Sequence, residues 1–227
     1  EITLEETDRY YIRTSPWGVT MKHFKEEDST PEFLDFTITT QEAWDQAKKQ
    51  MTLEDDRIPW EKLRQNYDIR RAEERWFRAV FWLGYKGTTF FSPNMYRSML
   101  QPYHKRAVDW AHNRGIYAQL HSCGDVMTLL PDIVATGVDA LNPLEVKAGM
   151  DAFKIKKEYG DRLVLHGGIN AVLWNDKDAI LEEIDRKVPV LKENGGFIFS
   201  SDHSIPNSVS LENMKAIVEE VKRVGRY

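Results

Sequence analysis

Five short apolar runs between residues 79 and 200 alternate with segments of helical periodicity. The first run spans 79–85, and the helix after it begins at Ser92 and Pro93, which suit the N-cap and the first helical position. The other runs are 115–121, 138–144, 162–166 and 196–200. Helices are expected after them at about 125–136, 151–159, 176–193 and 211–224. This alternation predicts an α/β fold in which a parallel sheet is covered by helices.

The first 80 residues have a weaker pattern. An alternating segment at 19–24 predicts a short hairpin or an irregular arm. Thr40 is the expected N-cap of one helix, and a second helix is expected from Pro59 to about Trp76. We therefore interpret the whole chain, 1–227, as one domain. Its N-terminal arm and helices occupy 1–79, and its βα units occupy 80–227.

Composition narrows the class of protein. The 227 residues are 41% hydrophobic, which is enough for a substantial core, and the net charge of −5 does not predict nucleic-acid binding. No apolar run has the length of a membrane span, and the acidic start of the chain does not resemble a signal peptide. With Cys123 as the single cysteine, no internal disulfide can form. We expect a cytoplasmic protein that binds neither nucleic acid nor membrane.

Polar, chemically capable side chains follow the last four apolar runs. The carboxyl ends of parallel strands lie on one face of a β/α fold, and that face carries the active site. The residues expected there are His121, Cys123, Asn142, Glu145, His166, Asp202 and His203. Gly167 and Gly168 follow His166, and they either admit a ligand close to the backbone or only make a tight turn. His104 and His112 are expected to be solvated on an outer helix.

His121 and Cys123 have the spacing of two metal ligands. Residues i and i+2 of a strand point to the same side, and an imidazole with a thiolate suits Zn²⁺. A third ligand must come from elsewhere: His203 is the best candidate, and Asp202 and Glu145 are the others. The alternative is that His121 and Cys123 are a structural pair, and that Asp202 and His203 form a turn that caps a helix.

At these residues the chain resembles the uroporphyrinogen decarboxylase (URO-D) superfamily, and it is most similar to the branch of zinc-dependent, cobalamin-linked methyltransferases. The matching stretches are 91–96, 121–124, 137–151, 165–170, 195–206 and 211–213. The resemblance implies a (β/α)8 TIM barrel in which the five units would be strands four to eight. Part of the N-terminal half would then be missing from the sequence, with a seam near Val80–Gly84.

The resemblance also implies roles for residues. Zinc would be held by His121, Cys123 and a residue after the last strand, where this branch has Cys and this chain has His203. Catalysis is assigned to Glu145, His203 and Asp202. The residues assigned to substrate or cofactor binding are Trp82, Asn142, His166, Gly167 and Gly168.

The leading hypothesis is a zinc-dependent methyltransferase. It would move a methyl group between a corrinoid, carried by cobalamin or by a partner corrinoid protein, and a small-molecule donor or acceptor. The first alternative is decarboxylation of a tetrapyrrole, although the arginine-rich motif of that branch is not found in residues 1–80. The second alternative is a non-catalytic ligand-binding barrel. A monomer or a homodimer is expected from the resemblance.

Overall fold

The computed structural model describes residues 1–15, 18–25, 31–50, 61–62, 65, 79–80, 83–85 and 87–226. The chain divides into two compact units, Glu1–Arg75 and Trp76–Tyr227. Most of the expected helix from Pro59 to Trp76 lies outside the described residues, as does Trp82. Part of the expected seam near Val80–Gly84 lies there too, so these predictions stay open.

The described part of the N-terminal unit contains a four-stranded antiparallel sheet in the order β1-β2-β3-β4. Its strands are β1 Ile2–Glu6, β2 Tyr10–Thr14, β3 Val19–Phe24 and β4 Glu32–Phe36. The sheet is therefore larger than the predicted short hairpin or irregular arm, although β3 matches the alternating segment 19–24. The other strands were not predicted; β2 is half-buried and β1 is exposed along its whole length.

Aromatic and cationic side chains pair across the strands of this sheet. The rings of Tyr11 and His23 stack at 4.9 Å between centroids, and the Arg13 guanidinium lies 4.2 Å from the centre of the Tyr11 ring. Lys22 Nζ lies 3.9 Å from the centre of the Tyr10 ring. Contacts of these kinds stabilise neighbouring strands by a fraction of a kcal/mol to about 1 kcal/mol each. Helix α1, Gln41–Gln50, follows, and the Thr40 hydroxyl accepts from Ala43 N–H at 3.2 Å, which confirms the expected cap.

The second unit contains a five-stranded parallel sheet, as the alternation predicted. The strand order is β11-β10-β9-β8-β5, and all four pairings are parallel. The strands are β5 Ala79–Val80, β8 Gln119–His121, β9 Ala140–Asn142, β10 Val164–His166 and β11 Phe197–Ile198. Leu120, Leu141 and Leu165 are paired in register and buried together in the main core cluster. The opposite face of the same strands carries the polar residues.

Helices follow the strands of the sheet, and four of them begin within one residue of an expected start. They are α2 Pro93–Met95, a π-helical turn Tyr96–Leu100, α3 Gln101–His112, α4 Leu130–Val134, α5 Ala152–Tyr159, α6 Lys177–Leu191 and α7 Leu211–Val224. Ser92, Asp151, Asp176 and Ser210 accept backbone N–H groups in the first turns of α2, α5, α6 and α7. None of the helices in the described ranges has both the length and the apolar character that a membrane crossing requires.

Three local predictions were wrong. The run 79–85 is not one strand: β5 ends at Val80, and β6 Gly84–Tyr85 turns back to pair with β7 Thr88–Thr89. The helix after Cys123 starts only at Leu130, because Asp125 bonds Met127 N–H in a turn that precedes it. His104 is buried, not solvated, and its Nδ1 lies 2.9 Å from the Tyr96 hydroxyl. Burial lowers the pKa of His104 and raises that of the Tyr96 phenol.

A buried ion pair on α6 holds the segment that follows β10. Lys187 and Glu183 are each only 6% exposed, and they form a salt bridge. Lys187 Nζ donates to Gly168 O at 2.7 Å, and Glu183 Oε1 accepts from Asn170 N–H at 3.3 Å. A buried charge destabilises the folded state unless its counter-ion is present, because burial removes the water that would solvate it.

Replacing Lys187 by Met is expected to lower the free energy of unfolding by about 3–5 kcal/mol, because the Glu183 carboxylate would stay buried without its cation. The measurement is urea unfolding followed by circular dichroism. Lys105→Met is the matched control, since Lys105 pairs with Asp109 at the same spacing on a helix surface and should cost less than about 1 kcal/mol. Adding Glu183→Gln to Lys187→Met should restore part of the loss. Equal losses for the Lys187 and Lys105 variants would contradict this prediction.

Candidate functional site

One face of β8, β9 and β10 brings several of the expected residues together. His121 pairs in register with Asn142. The pairs of Val164 with Ala140 and of Leu165 with Leu141 set His166 level with Asn142. Since the three strands are parallel, these side chains all lie toward the carboxyl edge of the sheet, where the sequence placed them.

Asn142 sets the proton position on His121. Asn142 Oδ1 lies 2.7 Å from His121 Nδ1, and Asn142 Nδ2 donates to His166 O at 3.3 Å. The second bond determines which way the amide points. An amide oxygen can only accept, so His121 Nδ1 carries the proton. With the proton on Nδ1, the lone pair of the His121 ring is on Nε2, the nitrogen that faces Cys123 Sγ.

Cys123 lies on the lone-pair side of that imidazole. The distance from Cys123 Sγ to His121 Nε2 is 3.6 Å. In tetrahedral zinc sites the Zn–N distance is about 2.0–2.1 Å and the Zn–S distance is about 2.3 Å, which together place N and S about 3.6 Å apart. The two side chains thus have the separation of two ligands on one zinc ion.

Within the part of the chain that the structure describes, no third metal ligand lies beside this pair. Among the described residues, no group of three or more His, Cys, Asp or Glu side chains lies close enough to hold one metal ion. His203 is half-buried after β11 and is not part of such a group. Its assignment as the third zinc ligand and as a catalytic residue stays a prediction.

Glu145 lies beside the loop that carries Cys123. It is buried, with 8% of its surface exposed, and its Oε2 accepts from Gly124 N–H at 2.7 Å. The bond ties the segment after β9 to the residue next to Cys123. The Glu145 carboxyl group is therefore held against the loop that carries Cys123, close to the pair of Cys123 and His121.

Asp202 links the segments that follow three strands. Its Oδ2 accepts from Val146 N–H at 2.8 Å, and its Oδ1 accepts from Ala171 N–H at 2.7 Å. Its own N–H donates to Ile169 O at 2.8 Å. Only 1% of Asp202 is exposed, and this burial raises the pKa of the carboxyl although the two backbone donors favour the charged form. These bonds give Asp202 a structural function, and its catalytic role stays a prediction.

Gly167 and Gly168 form a tight turn after His166. Their φ angles are +104° and +83°, values that residues other than glycine rarely adopt. A Cβ on Gly168 would lie 3.4 Å from the side chains of Leu144 and Ala152. The turn is therefore closely packed against the segment after β9. Contact of this turn with a ligand remains an expectation.

Sequence reasoning missed Gln119. Gln119 Nε2 lies 2.7 Å from His166 Nδ1, which connects β8 directly with β10. A signal was present, since Gln119 precedes His121 by two residues and therefore shares its face of the strand. Residue type did not single it out, because an isolated glutamine has no metal-binding or nucleophilic chemistry of its own.

The β6–β7 hairpin also lies against the loop of Cys123. The buried Ser122 hydroxyl accepts from Leu83 N–H at 2.9 Å. A Cβ placed on Gly84 would lie 2.9 Å from Cys123 O and 3.0 Å from Asp125 O. Both are backbone atoms, which cannot move aside as a flexible side chain can. Gly84 therefore allows the hairpin to touch the backbone that positions Cys123.

Gly84→Ala is expected to lower the free energy of unfolding by about 1–3 kcal/mol, because the added methyl group would force the backbone around Cys123 to shift. Gly87→Ala in the same hairpin is the matched control, since the nearest atom to a Cβ there is Ala148 O at 3.8 Å. It should change the stability by less than about 0.5 kcal/mol. Urea denaturation of both variants measures the difference. If the Gly84→Ala protein were as stable as the Gly87→Ala protein, the close approach of Gly84 to Cys123 O and Asp125 O would be contradicted.

Comparison with known proteins assigns the family. The family model described as "Uroporphyrinogen decarboxylase (URO-D)" matches residues 81–224, which is more than half of the chain. The matched range includes the parallel sheet from β8 onward and all the residues of the candidate site from Trp82 to His203. The chain therefore belongs to the uroporphyrinogen decarboxylase (URO-D) family, as the sequence motifs predicted.

Curated relatives match part of their length. Uroporphyrinogen decarboxylase of Chloroherpeton thalassium is 28% identical over 147 residues, which cover 60% of this chain and 39% of the relative. The protein of the same name from Pelodictyon phaeoclathratiforme is 34% identical over 105 residues, which cover 43% of this chain and 28% of the relative. The chain thus spans between 28% and 39% of the length of these two relatives.

Among solved structures, a methyltransferase from Methanosarcina mazei aligns with 26% identity over 59% of this chain and 38% of its own. Its TM-score is 0.46. A value this low does not establish a common fold for the two chains.

Proposed function

We propose that this chain is part of a zinc-dependent methyltransferase of the URO-D superfamily. The enzyme would move a methyl group between a corrinoid and a small-molecule donor or acceptor. The observation that carries the proposal is the distance of 3.6 Å between Cys123 Sγ and His121 Nε2. The proton on His121 Nδ1, which Asn142 requires, leaves Nε2 as the nitrogen that would bind metal.

His121 and Cys123 would hold the zinc ion, with His203 as the proposed third ligand. When bound, zinc would act as a Lewis acid that lowers the pKa of a thiol or hydroxyl acceptor or polarises the atom that carries the methyl group. Asn142 would orient the His121 ring through its hydrogen bond to Nδ1, as residues behind metal ligands commonly do. Each of these roles except that of His203 rests on a contact in the described residues.

Two buried carboxylates would support the site in different ways. Glu145 accepts from Gly124 N–H with one oxygen, and it would complete the metal coordination or act as acid or base with the other. Asp202 has both oxygens bonded to backbone N–H groups, so it would keep the surrounding segments in place. The turn at Gly167 and Gly168 would form part of the wall beside a bound substrate.

The proposal extends to the fold and the partners. We propose that the five parallel strands belong to a (β/α)8 TIM barrel, of which this sequence contains the later part. The half-buried polar face of Gln119, His121 and His166 supports this, since the interior of a closed barrel would enclose it. The corrinoid would be presented as cobalamin or on a corrinoid protein, and a cytoplasmic monomer or homodimer is part of the same proposal.

A second candidate is decarboxylation of a tetrapyrrole. The name of the family model and the names of the curated relatives favour it. In that reaction His203 and the neighbouring polar groups would stabilise charge that develops on a pyrrole ring, and no zinc would be required. The His121–Cys123 pair distinguishes the two candidates, because only methyl transfer uses it as a metal site.

Protein purified without added metal is expected to contain about one zinc ion per chain, since three protein ligands of these types hold zinc tightly enough to survive purification. Cys123→Ser and His121→Ala should each lose it, because each removes one of the three proposed ligands. His112→Ala is the matched control, since His112 bonds Asp139 on a half-exposed helix end and should keep the zinc. Elemental analysis of the four proteins measures the metal.

Activity assays follow on the same four proteins. Formation of methylcobalamin that disappears with the zinc in Cys123→Ser would support methyl transfer. Wild-type protein without zinc that forms product from uroporphyrinogen would reject this proposal in favour of decarboxylation. Zinc retained in Cys123→Ser would reject the ligand assignment itself.

A further inference from the structure

The peptide group that follows Cys123 is held by a hydrogen bond at each of its two ends. Its carbonyl oxygen, Cys123 O, accepts from the Ser122 hydroxyl at 3.2 Å. Its N–H, which belongs to Gly124, donates to Glu145 Oε2 at 2.7 Å. Strand β8 ends at His121, and beyond that residue the side chains of Ser122 and Glu145 fix the orientation of this peptide.

The direction of the two Ser122 hydrogen bonds follows from the single hydrogen of a hydroxyl group. Leu83 N–H can only donate, and its nitrogen lies 2.9 Å from Ser122 Oγ. The hydroxyl accepts this bond with a lone pair, so its hydrogen is left for Cys123 O. Leu83 O in turn accepts from Phe90 N–H at 3.0 Å, which closes the base of the β6–β7 hairpin. Ser122 therefore connects this hairpin with the backbone of Cys123.

Burial makes both ends of this arrangement costly to lose. Ser122, Leu83 and Glu145 are all buried, so water does not readily replace a hydrogen bond that one of them gives up. Gly124 has a φ angle of +80°, and a glycine has more accessible backbone conformations than any other residue. The two side chains thus restrain a peptide group that would otherwise turn easily.

We propose that Ser122 and Glu145 are positioning residues that clamp the peptide between Cys123 and Gly124, and that this clamp sets the place of Cys123 Sγ beside His121 Nε2. The chain is also anchored just before Cys123, since Ser122 N–H donates to the backbone oxygen of the neighbouring strand β9 at 2.8 Å. With its backbone held on both sides, Cys123 can move Sγ only by rotation of its side chain. The separation of 3.6 Å from His121 Nε2 therefore depends on the clamp.

The test is the rate at which iodoacetamide modifies the metal-free whole chain, because Cys123 is its single cysteine and the thiol signal comes from that residue. Ser122→Ala should react several-fold faster than the wild type, since a loosened peptide exposes the half-buried thiol more often. Ser122→Thr keeps the hydroxyl and should react more slowly than Ser122→Ala. Thr136→Val is the matched control, since the buried Thr136 hydroxyl donates to Ile133 O at 2.7 Å before β9, and its loss should leave the rate unchanged.

Two variants of Glu145 test the other end of the peptide in the same assay. The amide oxygen of Gln can still accept from Gly124 N–H, whereas Ala has no acceptor in its side chain. Glu145→Ala should therefore raise the rate of thiol modification, and Glu145→Gln should leave it near the wild-type value. A wild-type rate in either Ser122→Ala or Glu145→Ala would overturn the inference. An equal increase in Ser122→Ala and Thr136→Val would overturn it as well.

A second measurement rests on the proposed function. If His121 and Cys123 bind zinc, Ser122→Ala should raise the dissociation constant for zinc by about 10–100-fold, as the loss of a residue behind a metal ligand commonly does. The thiolate-to-metal absorption of the Co²⁺-substituted protein should change in Ser122→Ala and stay the same in Thr136→Val. Wild-type affinity for zinc in Ser122→Ala would overturn the inference. A wild-type protein that binds neither ion would reject the proposed function, and the rates of thiol modification would still decide the role of the clamp.

Discussion

The parallel register of β8, β9 and β10 is the constraint on which the rest of the site depends. In this register His121 faces Asn142, and Asn142 lies level with His166. A slip of one residue would turn each side chain of a strand to the opposite face of the sheet. Burial of the leucines that alternate with the polar residues opposes such a slip, because it would expose them to water and bury imidazoles and amides without partners. The apolar core therefore places the polar network.

Buried charges hold the segment after β10 from two sides. Lys187 and Glu183 bind it from α6, and Asp202 binds Ala171 from the segment after β11. Buried ion pairs add little net stability compared with apolar packing, since both charges lose their hydration. Here the pair of Lys187 and Glu183 fixes the conformation of the turn at Gly167 and Gly168, whose glycines would otherwise have many accessible backbone conformations. The segments after β9, β10 and β11 are consequently joined into one structure around the candidate site.

Membership of the URO-D family limits the chemistry without deciding it. One fold can host several reactions, and the reaction depends on the side chains at the site. Methyl transfer through zinc and decarboxylation without metal would both use the same face of the sheet. They differ in what they require of His121 and Cys123, whose 3.6 Å separation suits a metal. The distinction between the two proposed functions therefore lies in one pair of side chains rather than in the architecture.

Local patterns were sufficient to predict much of the second unit. Strand–helix alternation indicated the parallel sheet, Ser92, Asp151 and Asp176 marked helix starts, and residue types at strand ends indicated His121, Cys123, Asn142 and His166. The N-terminal sheet was largely missed, since an alternation of apolar and polar residue types was found only at 19–24, the segment of β3. The bond from Gln119 to His166, the buried pair of Lys187 and Glu183, and the contact of Gly84 with Cys123 O join residues between 4 and 47 positions apart.

Periodicity and residue type within short windows were enough to predict the alternation of strands and helices and the edge of the sheet at which the candidate site lies. Contacts between distant residues specify which nitrogen of His121 carries the proton and which charges are buried. These properties depend on the atoms that lie opposite a side chain across neighbouring strands and helices, and the distance along the chain does not specify them.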